Sequence, residues 1–157
     1  MNLKIKFLIV FSIALTLVLF SSCKRTAIEE PSPIGPSTFS VILNLSASPN
    51  VLFAGATREI STIKASLKKF DGASLPGKTI YFEIRKESGI KVNLGSFGNN
   101  TFVKRTDTDQ NGEATVKYYG PTAKEIRSNR SIYIYAIVAG DGKEYIIEKV
   151  PIYIIRK

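Results

Sequence analysis

Apolar and polar residues alternate with a period of two along most of the chain after residue 38. This period is typical of β-strands that bury one face, whereas an amphipathic helix repeats every 3.6 residues. The clearest run is residues 39–47, in which the odd-numbered positions Phe39, Val41, Leu43, Leu45 and Ala47 are apolar or small. The same alternation, or a richer apolar run, predicts six further strands. They fall within residues 63–67, 80–84, 102–106, 114–118, 132–139 and 145–155.

Residue pairs suited to tight turns stand between these predicted strands. They are Asp71-Gly72, Pro76-Gly77, Asn111-Gly112 and Asp141-Gly142, and such turns favour residues that tolerate a positive φ. Seven strands separated by such turns, with no helical pattern after residue 23, predict an all-β sandwich or barrel. Pro151 lies inside the last strand. Because proline cannot donate to a ladder, that strand should be bulged there or lie at an edge.

The first 22 residues have a different pattern. Lys4 and Lys6 precede an apolar run of 14 residues at 7–20, and two small residues then separate this run from Cys23. This is the layout of a secretory signal peptide. The run is shorter than the roughly 20 residues that a membrane-spanning helix needs, so a signal peptide is favoured over a transmembrane anchor.

Cys23 is the only cysteine of the chain, so it cannot close an internal disulfide. The sequence Phe20-Ser21-Ser22-Cys23 resembles the lipobox of bacterial lipoproteins. The resemblance implies that a diacylglycerol is attached to the Cys23 thiol and that residues 1–22 are removed. The acyl chains would then hold the protein on a membrane. Lys24, rather than Asp, after the cysteine implies sorting to the outer membrane under the rule known for enteric bacteria.

Residues 24–38 contain three prolines and a glycine among small polar residues. This composition cannot pack a core and predicts a flexible tether. The domain organisation is therefore a signal peptide at 1–22, a lipidated cysteine and tether at 23–38, and a single domain at 39–157.

The chain is basic, with a formal net charge of +9. Without Lys4 and Lys6, 20 basic residues remain against 13 acidic ones, which leaves +7. Basic surfaces attract nucleic acids, anionic lipids and acidic glycans. In this chain the basic residues are spread along the sequence without a nucleic-acid-binding motif, so we expect a solvated envelope protein with no nucleic-acid partner.

Three stretches of the predicted domain resemble the bacterial immunoglobulin-like domains of the invasin and intimin type. Residues 63–82 share the alternating strand, the Asp-Gly turn and the Pro-Gly step into a strand ending in Phe82. Residues 106–116 are similar to the Thr-Asp-x-x-Gly-x-Ala-Thr-Val hairpin of that family, and residues 134–142 to its terminal hairpin. The resemblance spans about residues 39–155 and implies a seven-stranded immunoglobulin-like β-sandwich that serves in adhesion or spacing at bacterial surfaces. Transthyretin-like modules share the Asp-x-x-Gly hairpin and are the alternative.

Few residues are available for catalysis or metal binding. The chain has no histidine, which excludes Ser-His-Asp and Cys-His catalysis and removes the commonest zinc ligand. Residues 107–112 resemble the start of an EF-hand calcium loop, but Tyr118 stands where that loop needs a bidentate glutamate. We therefore predict a β-hairpin turn there, no metal, no cofactor and no enzymatic activity. A hydrolase or inhibitor acting on an envelope partner is a further alternative.

Tyr81, Tyr133 and Tyr135 form the candidate binding face. If Ile134 and its alternating neighbours face the core, these tyrosines point outward, and an immunoglobulin-like topology places their strands in one sheet. Arg85 and Lys149 nearby would favour an acidic protein or an anionic glycan. Tyrosine is also common on strand surfaces without any binding role. The predicted function is a non-catalytic envelope lipoprotein that binds or spaces a surface protein or glycan, with a glycan-binding accessory module as the alternative.

Overall fold

The computed structural model describes residues 41–139 and 144–157, and this part of the chain is built from eight β-strands. The strands are β1 (Val41–Ser48), β2 (Val51–Ala54), β3 (Ile60–Lys69), β4 (Thr79–Arg85), β5 (Val103–Asp107), β6 (Glu113–Tyr119), β7 (Arg130–Ala139) and β8 (Tyr145–Arg156). No helix that could cross a membrane is found within these two ranges. The predicted signal peptide, Cys23, the tether and the Asp141-Gly142 turn lie outside the described residues.

The strands form two sheets with the orders β1-β3-β6 and β2-β8-β7-β4-β5. Neighbouring strands are antiparallel, except that β2 runs parallel to β8. The central strands β4, β7 and β8 share one sheet and β3 and β6 share the other, which is the arrangement of an immunoglobulin-like sandwich. The all-β immunoglobulin-like fold predicted from the sequence is thereby confirmed, with eight strands instead of seven.

The core lies between the two sheets and is filled by the apolar positions of the alternating strands. Phe82 on β4 is fully buried, and its ring meets that of Phe97 edge-on at a centroid distance of 6.5 Å. Phe97 in turn meets Tyr118 at 6.2 Å. The inward rows of the other strands contribute aliphatic side chains, among them Leu43, Leu52, Ile63, Leu67, Ile80, Val116, Ile132, Ile134, Ile152 and Ile154. Burial of each large side chain contributes about 1.5–3 kcal/mol in transfer free energy.

The additional strand is β2, which the sequence pattern does not separate from β1. It follows β1 after only two residues and joins the opposite sheet, pairing with positions 153–156 of β8. At Pro151, β8 therefore has a strand neighbour only on the β7 side. Of the predicted bulge or edge, Pro151 thus has an edge locally, whereas β8 as a whole is not an edge strand because β2 flanks it at 153–156. Residues 92–97 form no strand and contribute only a bridge between Ser96 and Tyr119.

The expected β-hairpin at residues 106–116 is wrong, because β5 and β6 belong to different sheets. The turn between them carries the chain from one layer of the sandwich to the other. Gly112 has φ +72°, and a side chain there would collide with the carbonyl oxygen of Leu67. The glycine that the sequence placed in this turn is thus required by both conformation and space. The sequence pattern located the turn correctly but not the strands that it connects.

Candidate functional site

The outward side of the five-stranded sheet carries a continuous line of four apolar side chains, of which three are exposed and Ile137 is half-buried. Tyr81 on β4 lies opposite Ile137 on β7, and Ile137 lies opposite Ile147 on β8. Tyr145 stands two positions before Ile147. It lies on the same side of β8, because every second side chain of a strand points to the same side. Their exposed fractions are 41% for Tyr81, 49% for Ile147 and 64% for Tyr145. We call these four residues the apolar row.

Next to the apolar row, Tyr135 is covered by charged side chains. The guanidinium carbon of Arg85 lies 5.0 Å from the centre of the Tyr135 ring, and the Tyr135 hydroxyl donates to the carbonyl oxygen of Glu87 at 3.1 Å. Tyr135 is therefore only 9% exposed. It points to the outer side of the sheet, as the alternation predicts, but the expectation that it is exposed is wrong.

Glu83 anchors this charged cover. Its carboxylate accepts a hydrogen bond from Arg85 Nε at 2.8 Å and pairs with Lys91 Nζ at 3.0 Å. Burial raises the pKa of Glu83, but the hydrogen bonds and positive charges of Arg85 and Lys91 outweigh burial and hold that pKa below its usual value of 4.5. Glu83 is thus ionised at neutral pH and fixes Arg85 over the Tyr135 ring.

Tyr133 has a similar but lighter cover. The Nζ atom of Lys149 lies 5.0 Å from the centre of its ring, and the side chain is half-buried. Desolvation, followed by the nearby Glu87 carboxylate, raises the pKa of the Tyr133 phenol. The three tyrosines of the predicted binding face all lie on one side of one sheet. Only Tyr81 has an exposed ring.

Two basic side chains flank the apolar row. Arg105 on β5 lies directly opposite Tyr81, and Lys149 follows Ile147 two positions along β8 on the same side of the sheet. Within the described ranges, neither side chain takes part in a salt bridge. The Asp107 carboxylate on this side accepts a hydrogen bond from Thr79 Oγ1 at 2.6 Å.

Four residues of this face were not predicted from the sequence: Ile137, Ile147, Tyr145 and Arg105. The signal that could have found them is the alternation of the last two strands, since the odd-numbered positions of 133–137 and 145–153 point outward together. That alternation alone does not show that Tyr81, Ile137 and Ile147 are neighbours, because their contact depends on the register between three strands.

The turn that resembles a calcium loop is occupied by its own hydrogen bonds. Asp109 Oδ1 accepts from the backbone amides of Asn111 at 2.8 Å and Glu113 at 2.9 Å. No cluster of three or more acidic or cysteine side chains suited to a metal occurs within residues 41–139 and 144–157. The carboxylate of Asp109 therefore has a structural role in the turn.

A second polar cluster closes the opposite end of the sandwich. Arg58 donates to the carbonyl oxygen of Gly120 at 3.1 Å and pairs with Glu125 at 2.8 Å. Glu125 also accepts from the amide and the hydroxyl of Thr122. Burial raises the pKa of Glu125, but these hydrogen bonds and the charge of Arg58 lower it overall. The cluster holds the segment after β6 in place and leaves no group free for chemistry.

No protein-family profile matches the sequence, and no curated protein matches it. Solved structures with a similar arrangement include AggA, the major subunit of aggregative adherence fimbriae type I from Escherichia coli. It is 10% identical with a TM-score of 0.44, and the match covers 74% of this chain and 95% of AggA.

The periplasmic chaperone SfaE is 6% identical with a TM-score of 0.47, over 73% of this chain and 57% of the chaperone. The alkylpurine DNA glycosylase AlkC of Pseudomonas fluorescens is 14% identical with a TM-score of 0.41, over 74% of this chain and 30% of the glycosylase. A fimbrial subunit, a chaperone and a glycosylase have different functions, so similarity of fold does not indicate the function of this chain.

Proposed function

We propose that this protein is a lipid-anchored, non-catalytic binding protein of the bacterial outer membrane, and that its immunoglobulin-like domain engages a partner through the apolar row. The observation that carries the proposal is the exposure of Tyr81 on β4 and of Ile147 and Tyr145 on β8, which Ile137 connects across the intervening strand β7. Exposed apolar side chains scattered singly are ordinary, whereas a contiguous group of them is typical of an interaction surface. We propose that the domain belongs to the invasin and intimin type, because residues 63–82 resemble that family.

The anchor is supported by the lone Cys23 directly after a complete signal-peptide layout. In cells given a radiolabelled fatty acid, the wild-type protein should be labelled and should sediment with the membranes. Cys23→Ala should lose both the label and the membrane association, while Ser22→Ala, which keeps the thiol, should behave as wild type. Equal labelling of Cys23→Ala, or its retention in the membrane fraction, would refute the lipid anchor.

Binding through the apolar row can be tested in intact cells with the full-length protein. A photoreactive phenylalanine analogue placed at Ile147 should give a covalent adduct on illumination. The matched control is Ile42, which is 42% exposed on the outward side of the other sheet and should give none. Adducts at both positions, or at neither, would contradict a binding role for this face.

A further inference from the structure

We infer that the partner of the apolar row is a protein surface with an apolar centre between carboxylates, and not a glycan. This inference rests on the proposed function and names the chemistry of the partner. Three observations carry it: the covered rings of two of the tyrosines, the aliphatic side chains in the row, and the two basic side chains that flank the row.

A sugar platform needs an aromatic ring whose flat face is open. Arg85 lies over the ring of Tyr135, and Lys149 lies over the ring of Tyr133. Cation–π contacts of this kind contribute about 0.5–1 kcal/mol at exposed sites and more when they are desolvated. A sugar ring would have to displace these cations before it could stack. The two tyrosines at the centre of the sheet are therefore poorly suited to bind a glycan.

The open part of the face has a composition that suits protein side chains. Two of its four members, Ile137 and Ile147, are aliphatic and lie opposite each other on β7 and β8. Tyr81 and Tyr145 extend the row on either side with large, partly exposed rings. Tyrosines beside aliphatic chains provide a large contact area at low cost in side-chain entropy, which is typical of protein-binding surfaces.

The charges around the row select an acidic partner. Arg105 stands at the β5 end and Lys149 at the β8 end. Three strand spacings of about 4.8 Å separate these two strands, which places β5 and β8 roughly 14 Å apart across the sheet. The carboxylate of Glu83 is already paired with Arg85 and Lys91. A complementary partner would thus carry carboxylates on both sides of an apolar centre.

A second copy of this chain does not have that complementarity. An isologous contact would bring the same surface of both copies together. It would bring the basic side chains Arg105 and Lys149 of both copies into one interface, in a protein whose net charge without residues 1–22 is +7. Like charges brought together at an interface oppose association, so the complementary surface belongs to a different, acidic protein.

The test uses the full-length protein in non-ionic detergent and four immobilised probes. These are a random copolymer of glutamate and tyrosine, polyglutamate, the anionic polysaccharide polygalacturonate, and the phosphatidylglycerol head group, glycerol phosphate, coupled to the matrix without its acyl chains. The glutamate–tyrosine copolymer should bind at least about tenfold more tightly than each other probe, because it alone offers apolar groups between carboxylates of a polypeptide. Its binding should weaken as salt is raised from about 0.05 to about 0.5 M.

The matched variants distinguish binding through the apolar row from binding through positive charge alone. Tyr81→Ser combined with Ile147→Ser should weaken copolymer binding at least about tenfold. Ile42→Ser combined with Ile60→Ser, which changes exposed apolar residues of the other sheet, should leave it unchanged. Arg105→Glu should weaken binding, and Lys117→Glu on the other sheet should not. Thermal unfolding of each variant checks that the domain is intact.

Each other result overturns the inference. Equal binding of polygalacturonate would assign the face to a glycan, and equal binding of the coupled head group would assign it to a membrane surface. Equal binding of polyglutamate would reduce the effect to charge alone. If the copolymer fails to bind while Ile147 still gives an adduct in cells, the partner class is wrong and the proposed function stands. If no adduct forms at Ile147, the proposed function fails as well.

Discussion

The outward sides of the two sheets differ, although both sheets bury their inner sides in one core. On the three-stranded sheet, the outward positions are mainly polar and exposed, among them Asn44, Ser46, Thr62, Lys64, Thr115 and Lys117. On the five-stranded sheet, the outward positions include the apolar row and the covered tyrosines. The exposed apolar residues of the three-stranded sheet, Ile42 and Ile60, stand far apart, because Ile42 lies opposite Lys68, eight positions along β3 from Ile60. Those of the five-stranded sheet form a contiguous row instead, and binding provides an explanation for it.

The ion pairs of the two sheets differ in the same way. Lys64 and Glu113 meet at 2.7 Å on the three-stranded sheet, where both side chains are well exposed to solvent. Glu83 on the five-stranded sheet is nearly buried and has two basic partners. Exposed pairs contribute little to stability, whereas the removal of one member of a buried group leaves unpaired charges. The outward side chains of the five-stranded sheet are thus held in place by a nearly buried ionic group, whereas those of the three-stranded sheet are not.

The largest effect is expected at Phe82, which lies on β4 beside Tyr81 but points into the core. Phe82→Ala should lower the free energy of unfolding by about 3–5 kcal/mol, because it removes a fully buried ring and leaves a cavity next to Phe97. Tyr81→Ala should cost about 1 kcal/mol or less, since it loses only cross-strand contacts. Urea unfolding of both variants measures the difference. Equal losses would mean that the two sides of β4 are not distinct.

An intermediate effect is expected from the removal of the Glu83 charge. Glu83→Gln should destabilise the protein by about 1.5–3 kcal/mol, the range for hydrogen bonds to charged groups. Glu113→Gln on the other sheet should cost about 0–1 kcal/mol. Urea unfolding at pH 7 compares the two variants. A cost for Glu113→Gln as large as that for Glu83→Gln would remove the distinction between the ion pairs.

The stability difference between wild type and Glu83→Gln should depend on pH. The pKa of Glu83 is lowered in the folded state, so its contribution to stability is fully present above the unfolded value of about 4.5 and is lost as pH falls through the lower folded value. The stability difference between wild type and Glu83→Gln should therefore be constant from about pH 6 to 7 and should shrink below about pH 4.5. A difference that grows on acidification would show that the sign of the shift is wrong.

The smallest effect is expected at the Tyr135 hydroxyl. Tyr135→Phe removes the hydrogen bond to the Glu87 carbonyl oxygen and should cost about 0.5–1.5 kcal/mol. Tyr81→Phe, at the exposed ring of the apolar row, should leave the free energy of unfolding within about 0.5 kcal/mol of wild type. Both are measured by urea unfolding. A lower free energy of unfolding for Tyr81→Phe but not for Tyr135→Phe would mean that the Tyr81 hydroxyl, and not the Tyr135 hydroxyl, is the one that stabilises the fold.

The sequence by itself determined where seven of the eight strands lie and which side of them is buried. Phe82, Ile134 and Ile63 are in the core, as the alternation around them predicts. The reason is local: successive side chains of a strand point to opposite sides, so an apolar residue at every second position marks the buried side. Gly112 was found in the same way, because a turn that needs positive φ favours glycine wherever the rest of the chain lies.

The tertiary structure alone decided which outward residues are neighbours and which are covered. The sequence does not show that β2 joins β8, that β5 and β6 lie in different sheets, or that Tyr81 stands beside Ile137 and Ile147. It also does not show that Arg85, fixed by Glu83, covers Tyr135. These features depend on pairing between strands that are distant in the sequence, and the period of two is the same whichever strands become partners.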